Sequence, residues 1–239
     1  MKTYFLKFTF FLFALAITFS SCEKDDSKSK KSNFNGPEEY IENPSVKSAI
    51  EDSRIPMYLG ENPPALAGRY LTNGEVEDTS YGLSELIGMQ IRSEFELFNQ
   101  TSSGIISFRE KIEGASVSGI GGYITGENGR FTIYGESKQS GSEAGLPDDI
   151  SMNVVLLMSG TKISNGDLIV KGISIITDVK TSNKQYNVKD LEGGWWMWEA
   201  DFDLQTGTRS SIIIHENINA DQTMKNIMRE AIKKFTKLD

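Results

Sequence analysis

Alternation of apolar and polar residues with a period of two is the feature that most constrains this chain of 239 residues. It is clearest where Ile87, Met89, Ile91, Phe95 and Leu97 alternate with polar side chains. Successive side chains of a strand point to opposite faces, so the pattern predicts a strand with one face in a core and the other in solvent. Similar segments predict strands at residues 66–72, 86–98, 104–112, 115–125, 130–138, 149–159, 167–180, 194–204 and 209–215.

Turn signals lie between these segments. Asn-Gly pairs, which tolerate the positive φ angles of tight hairpins, occur at residues 73–74, 128–129 and 165–166. No helical pattern separates the strands, so we expect a mainly β fold: an antiparallel meander of about eight or nine strands, closed as a barrel or packed as a sandwich. In the strand at 167–180 the apolar residues change from even to odd positions across Gly172, which favours a β-bulge there.

The C-terminal segment has a different period. Asn219 followed by Gln222 resembles a capping box, and apolar residues then recur three or four positions apart. The spacing predicts one amphipathic helix over residues 220–238 that packs against the sheet. Its basic face would also suit contact with a membrane or a partner.

The N-terminus carries a secretion signal. Lys2 and Lys7 precede an apolar run from Phe8 to Phe19, a signal-peptide pattern over residues 1–21. The run of about a dozen residues is shorter than the roughly 20 that a membrane-spanning helix needs. We therefore expect residues 1–21 to be removed rather than to remain as an anchor.

Small residues directly before Cys22, the only cysteine, resemble the bacterial lipobox. That family has an aliphatic residue where this chain has Phe19. The resemblance implies cleavage before Cys22 and attachment of diacylglycerol to its thiol, which anchors the protein in a membrane without spanning it.

The next residues, Glu23, Lys24, Asp25 and Asp26, are similar to the export signal of Bacteroidetes-type surface lipoproteins. This similarity implies lipid anchoring in the outer membrane on the cell surface. The alternatives are a solvated charged linker and a position on the periplasmic face.

Composition divides the rest of the chain into two parts. Residues 22–55 are rich in Ser, Lys, Asn, Glu and Pro, which is typical of a flexible tether, with a short helix near residues 45–52. Residues 56–239 then form a single domain. The formal net charge of −8 and the absence of a large basic patch argue against nucleic acid as a partner.

Chemical motifs are few. The single histidine, His215, lies in an apolar strand-like run, and no nucleophile motif accompanies it. Asp201, Asp203 and Gln205 alternate before Gly207, but this spacing does not match an EF-hand loop and is better explained by a solvated strand face. The sequence therefore predicts no metal, no cofactor and no catalytic residue.

Trp195, Trp196 and Trp198 form the most unusual local feature. On a strand, Trp196 and Trp198 point one way and Trp195 the other. One interpretation places Trp196 and Trp198 in the core and leaves Trp195 as an exposed platform for a flat ligand such as a sugar. The other has Trp195 partly covered by the C-terminal helix.

A meander of about eight strands followed by a helix resembles the lipocalin or calycin architecture. The first predicted strand is similar to that family's Gly-x-Trp signature, with Gly68 in place and Tyr70 where the family has Trp. Residues 58–64 also resemble the segment that leads into the β domain of many Bacteroidetes-type surface lipoproteins. The resemblance implies a fold and settles no activity.

Three functional hypotheses follow. The first is a non-enzymatic lipoprotein whose barrel binds a small apolar ligand in its interior. The second is a surface module that binds glycans or proteins through exposed aromatic residues. The third is a hydrolase that uses two carboxylates, which would have to converge in a cleft at about 5 to 9.5 Å.

Overall fold

The computed structural model describes residues 37–80, 84–112, 115–118, 120–140, 150–182 and 188–206. The strands are β1 Gly68–Thr79, β2 Gln90–Phe98, β3 Ile105–Ile112, β4 Ala115–Ser118, β5 Ile120–Glu127, β6 Arg130–Ser140, β7 Ile150–Lys162, β8 Leu168–Thr181 and β9 Trp195–Leu204. All strand pairs are antiparallel. The predicted strands between residues 66 and 204 are thereby confirmed, whereas the one at 209–215 lies outside the described residues.

The strands close into a barrel. Their order is β2-β1-β9-β8-β7-β6-β5-β3, and β3 pairs again with β2 to complete a ring of eight. The short strand β4 pairs with the far half of β3, and β5 pairs with the near half, so that β4 and β5 act as one interrupted strand. The structure is thus the lipocalin-like barrel rather than the sandwich, and closure leaves no open sheet edge in the ring.

Two short helices precede the barrel, α1 (Glu38–Ile41) and α2 (Pro44–Ser53). Asn43 caps α2 by accepting hydrogen bonds from the backbone of Ser45 and Val46, and proline occupies the first helical position, where its missing N–H costs nothing. The short helix expected near residues 45–52 is confirmed. The predicted helix at 220–238 lies outside the described residues. No helix in the described part of the chain has the length and apolarity needed to cross a membrane.

Helix α2 packs on the outside of the barrel. Val46 and Ala49 are buried in a cluster with outward-facing residues of the sheet, among them Ile173 and Ile175. The prediction of a flexible tether up to residue 55 is therefore wrong for the segment that contains α2. The segment is polar in overall composition, but its apolar residues form one stripe on the helix. Such a stripe is enough to hold a helix against a sheet.

The outer cluster also explains the apolar pattern around Gly172. Leu168, Val170 and Ile176 face the barrel interior, while Ile173 and Ile175 face α2, so both faces of β8 are apolar there. Pairing with β7 and β9 runs through Gly172 without a shift. The bulge predicted at that glycine is therefore wrong.

The irregularity of β8 lies further along the strand. The register with β7 shifts between Ser151 and Asn153, whose partners are Lys180 and Thr177. Asp178, within the extra segment, has a φ of 48°. This is the position at which the strand departs from regular pairing.

Two of the three predicted Asn-Gly turns are confirmed. Asn128 and Gly129, with φ angles of 54° and 80°, form the two-residue turn between β5 and β6. The pair at 165–166 lies in the connection between β7 and β8. The prediction at 73–74 is wrong, because Gly74 lies inside β1, where an added Cβ would come within 2.4 Å of the Ala200 Cβ atom. Glycine is needed there for close approach of β9 rather than for a turn.

One end of the barrel is closed by the chain that enters β1. The connections 99–104, 128–129 and 163–167 lie at this end, which we call the closed end; we call the opposite end the loop end. Leu66 is fully buried at the closed end, and its N–H donates to Gln100 Oε1 at 2.7 Å. The Tyr70 hydroxyl donates to the Leu66 carbonyl at 2.7 Å. Leu66 is thus held as a plug from both sides.

Candidate functional site in the barrel interior

Four aromatic side chains cross the interior, and we call them the aromatic layer: Phe95, Phe108, Trp198 and Phe202. The Phe95 ring stacks on Phe108 with centroids 5.6 Å apart and meets Phe202 at 5.3 Å. The Trp198 and Phe202 rings are nearly parallel at 6.4 Å. The layer therefore joins β9, β2 and β3 through ring contacts across the barrel.

Two glycines provide the space that these rings occupy. A Cβ on Gly172 would lie 2.2 Å from the indole Cζ2 of Trp198, and one on Gly135 would lie 2.3 Å from Cε1 of Phe108. Real Cβ atoms do not approach other atoms so closely. Both glycines thus face inward, and any larger residue would displace a ring of the aromatic layer.

Inward-facing polar residues lie beyond the aromatic layer, on its loop-end side. Each of these residues lies two positions along its strand from an aromatic residue of the layer or from one of the inward glycines, on the loop-end side. Side chains two positions apart on a strand point to the same face, so these residues also point inward. We call these residues the inner belt: Ser93, Glu110, Ser137 and Ser174. They come from β2, β3, β6 and β8, so the belt is spread around the barrel.

The belt contains a chain of hydrogen bonds. The Ser93 hydroxyl donates to Glu110 Oε1 at 2.8 Å, and the hydroxyls of Thr72 and Ser93 are 2.7 Å apart. Burial raises the pKa of the Glu110 carboxyl above its ordinary value, and the hydrogen bond from Ser93 offsets part of that rise. The barrel thus holds a carboxyl group with a raised pKa in a largely apolar interior.

Several inward side chains of the barrel keep a small accessible surface. Trp196 keeps 9% of its surface accessible and Ser137 and Ser174 keep 7%, while Phe131, Ile124 and Leu168 nearer the closed end keep 0–1%. The inward-facing Leu156, which pairs with Gly135 and Ser174, is only partly buried. The interior is therefore tightly packed at the closed end, whereas the side chains of Trp196, Leu156, Ser137 and Ser174 are not fully covered.

The hydroxyls of Ser137 and Ser174 support this description. Neither forms a hydrogen bond within the part of the chain that the structure describes, and no side-chain polar atom there is both fully buried and unpaired. Both hydroxyls therefore reach accessible space inside the barrel. Buried polar groups are normally paired, so these two are available to a bound molecule.

The three tryptophans divide between the two faces of β9. Trp196 and Trp198 belong to the interior cluster, as predicted. Trp195 points outward but is only 7% exposed, because it packs with Met197 against α2. The interpretation of Trp195 as an exposed platform is thus wrong. The predicted cover by the C-terminal helix concerns residues outside the described ranges.

The other residues singled out from the sequence lie elsewhere. Cys22, the predicted export signal at residues 23–26 and His215 are outside the described residues. Asp201 and Asp203 are exposed on the outer face of β9, in agreement with a solvated strand face. Within the described ranges no three His, Cys, Asp or Glu side chains cluster as metal ligands do.

Sequence reasoning missed the inner belt. Its signal is present, because Ser93 interrupts the inward series of Ile91 and Phe95, and Glu110 follows the inward Phe108. A single polar residue at an otherwise apolar position is common, however. The four residues can be recognised as one group only when the strands are placed in register.

Comparisons with known proteins identify no relative: no protein-family model, no curated protein sequence and no solved structure matches this chain. What can be said of its function therefore rests on the barrel and its interior.

Proposed function

We propose that this chain is a lipid-anchored, non-enzymatic lipoprotein whose barrel binds a small apolar molecule inside. The observation that carries the proposal is the difference in packing along the barrel, which is dense at the closed end and accessible around the inner belt. Barrels of about eight strands either fill with side chains or hold one small ligand. Small inward residues such as Ser137 and Ser174, beside the large apolar Trp196, favour the second case.

The alternatives have less support. The module that binds glycans through exposed aromatics required Trp195 on the surface, and that side chain is covered by α2. The hydrolase required two convergent carboxylates, but Glu110 is the single carboxylate at the inward positions that the structure describes. Neither hypothesis retains a candidate residue set in this part of the chain.

Ligand binding is tested by filling the proposed space. A neutral naphthylamine fluorophore is titrated into the full chain carrying Cys22→Ala, which excludes acyl groups from the assay. Ser174→Leu should lower the affinity for the fluorophore at least fivefold, because the larger side chain enters the accessible interior. Ser107→Leu, on the outward face of β3, is the matched control and should leave the affinity unchanged.

Thermal unfolding of the same variants makes the test decisive. If the belt has room, Ser174→Leu keeps a melting temperature within a few degrees of the parent protein. Equal fluorophore affinity in both variants, or a collapse of the fold in Ser174→Leu, would contradict an accessible interior.

The proposed anchor rests on the residues around Cys22. A secretion signal and the acidic residues that follow favour an acylated cysteine at the mature N-terminus, on the outer face of the outer membrane. Mass spectrometry of the processed protein should show acyl groups on that residue, and Cys22→Ala should move the protein from the membrane to the soluble fraction. An unmodified thiol in the processed protein would refute the anchor.

Surface position has its own test. Replacement of residues 23–26 by serine should leave the protein acylated but reduce its digestion by protease added to intact cells. Unchanged digestion would exclude a role for these residues in export.

A further inference from the structure

Glu110 faces inward from β3 at the level of the belt. The one Lys or Arg at an inward position of the described strands is Lys162, at the closed-end terminus of β7, where its Nζ donates to the Ala65 carbonyl at 2.6 Å, so no described cation lies at the belt. An anionic head group placed at the belt would find no cation and would face the glutamate. Burial of an unpaired charge is strongly unfavourable, so such a molecule is selected against.

The polar groups of the belt favour a donor instead. A carboxyl group has acceptor capacity on both oxygens, and Ser93 is the one hydrogen-bond donor to Glu110 among the described residues. The free hydroxyls of Ser137 and Ser174 add further acceptors in the interior. Trp196 and Leu156 offer apolar surface beside them.

We infer that the ligand of this barrel is an amphiphile with a hydrogen-bond-donating head, an amine or a hydroxyl, that binds Glu110 while its apolar body lies against Trp196 and Leu156. The inference rests on the proposed function, because it requires the interior to bind a molecule at all. It adds the chemical class of the ligand and the residue that selects it. The desolvation that raises the pKa of the Glu110 carboxyl agrees with it, because a hydrogen-bond donor on the ligand would stabilise the ionised form that burial disfavours.

The test compares three molecules that share one chain and differ in the head group. Decylamine, decanol and decanoate compete with the neutral naphthylamine fluorophore for the full chain carrying Cys22→Ala. A hydrogen bond to a charged group contributes about 1.5–3 kcal/mol, so decylamine should bind at least about tenfold more tightly than decanoate. Decanol equal to decylamine would assign selection to hydrogen bonding, and weaker decanol would assign it to charge; both results support the inference.

Glu110→Gln is the decisive variant. It keeps the size of the side chain and removes its negative charge, so the preference for decylamine over decanoate should fall to less than about threefold. Glu127→Gln makes the same change of charge at an exposed residue and should keep the full preference.

The outcomes separate the two proposals. If neither the fluorophore nor any decyl compound binds, the proposed function fails. If the fluorophore binds and decanoate competes as well as decylamine, or if Glu110→Gln keeps the preference, the interior binds ligands but the assignment of the head group is wrong.

Discussion

Substitution of Gly172 by alanine tests the packing of the aromatic layer. The new Cβ would lie 2.2 Å from Cζ2, 2.3 Å from Cε2 and 2.6 Å from Cη2 of Trp198, whereas ordinary contacts between carbon atoms are about 3.5–4.0 Å. The indole cannot easily withdraw, because it also stacks on Phe202. Gly172→Ala should therefore displace Trp198 or the strand itself.

The magnitude follows from two opposing effects. Overpacking of a core costs about 1–3 kcal/mol, and removal of a glycine from a strand returns about 0.5–1 kcal/mol. Three close contacts place the clash near the top of its range, so we expect a net loss of about 2 kcal/mol. For a domain of this size the melting temperature should fall by about 4–8 °C.

A double-mutant cycle identifies the cause. Trp198→Leu removes the three ring atoms that the new methyl group would contact, at a cost of about 3 kcal/mol for the space left behind. In that background the clash is absent, so Gly172→Ala should stabilise the protein by about 0.5–1 kcal/mol, which gives a coupling energy of about 3 kcal/mol. Urea unfolding followed by circular dichroism measures all four proteins, and Ile169→Thr on the exposed face of β8 serves as the control. An equal loss in both backgrounds, or a loss below about 0.5 kcal/mol in the parent protein, would refute the argument.

Three further predictions concern other parts of the barrel. Tyr70→Phe leaves the Leu66 carbonyl without its hydroxyl donor and should lower the free energy of unfolding by about 1–3 kcal/mol in urea; an unchanged value would mean that the plug is held by packing alone. Asn43→Ala removes the cap of α2 and should cost about 0.5–2 kcal/mol, with faster amide exchange confined to that helix; equally faster exchange in the strands would contradict a local effect. Because the folded-state pKa of Glu110 is raised, its neutral form is favoured at low pH and its ionisation destabilises the fold as pH rises through that pKa. Glu110→Gln should match the parent melting temperature near pH 4 and exceed it near pH 8, and a difference that does not change with pH would exclude this titration.

Local rules predicted most of the architecture. Alternation located the strands of the ring. The Asn128-Gly129 pair, which tolerates the positive φ angles of a tight turn, allowed one hairpin to be placed to the residue. The choice between barrel and sandwich was not accessible in this way, because it depends on the pairing of β2 with β3 and of β1 with β9. The errors at Gly74 and Gly172 share one cause, since both glycines make room for a neighbour that is distant in sequence.

The sequence by itself determined which segments are strands and which side of each strand is apolar, because both follow from the positions of neighbouring residues along one chain. Only the tertiary structure decided that Trp195 is buried in one cluster with residues of α2 and that Ser93, Glu110, Ser137 and Ser174 all face the interior on the loop-end side of the aromatic layer. The physical reason is twofold. An apolar stripe on a helix does not specify which surface the helix packs against, and residues on separate strands become neighbours only when closure of the barrel fixes the register of the strands.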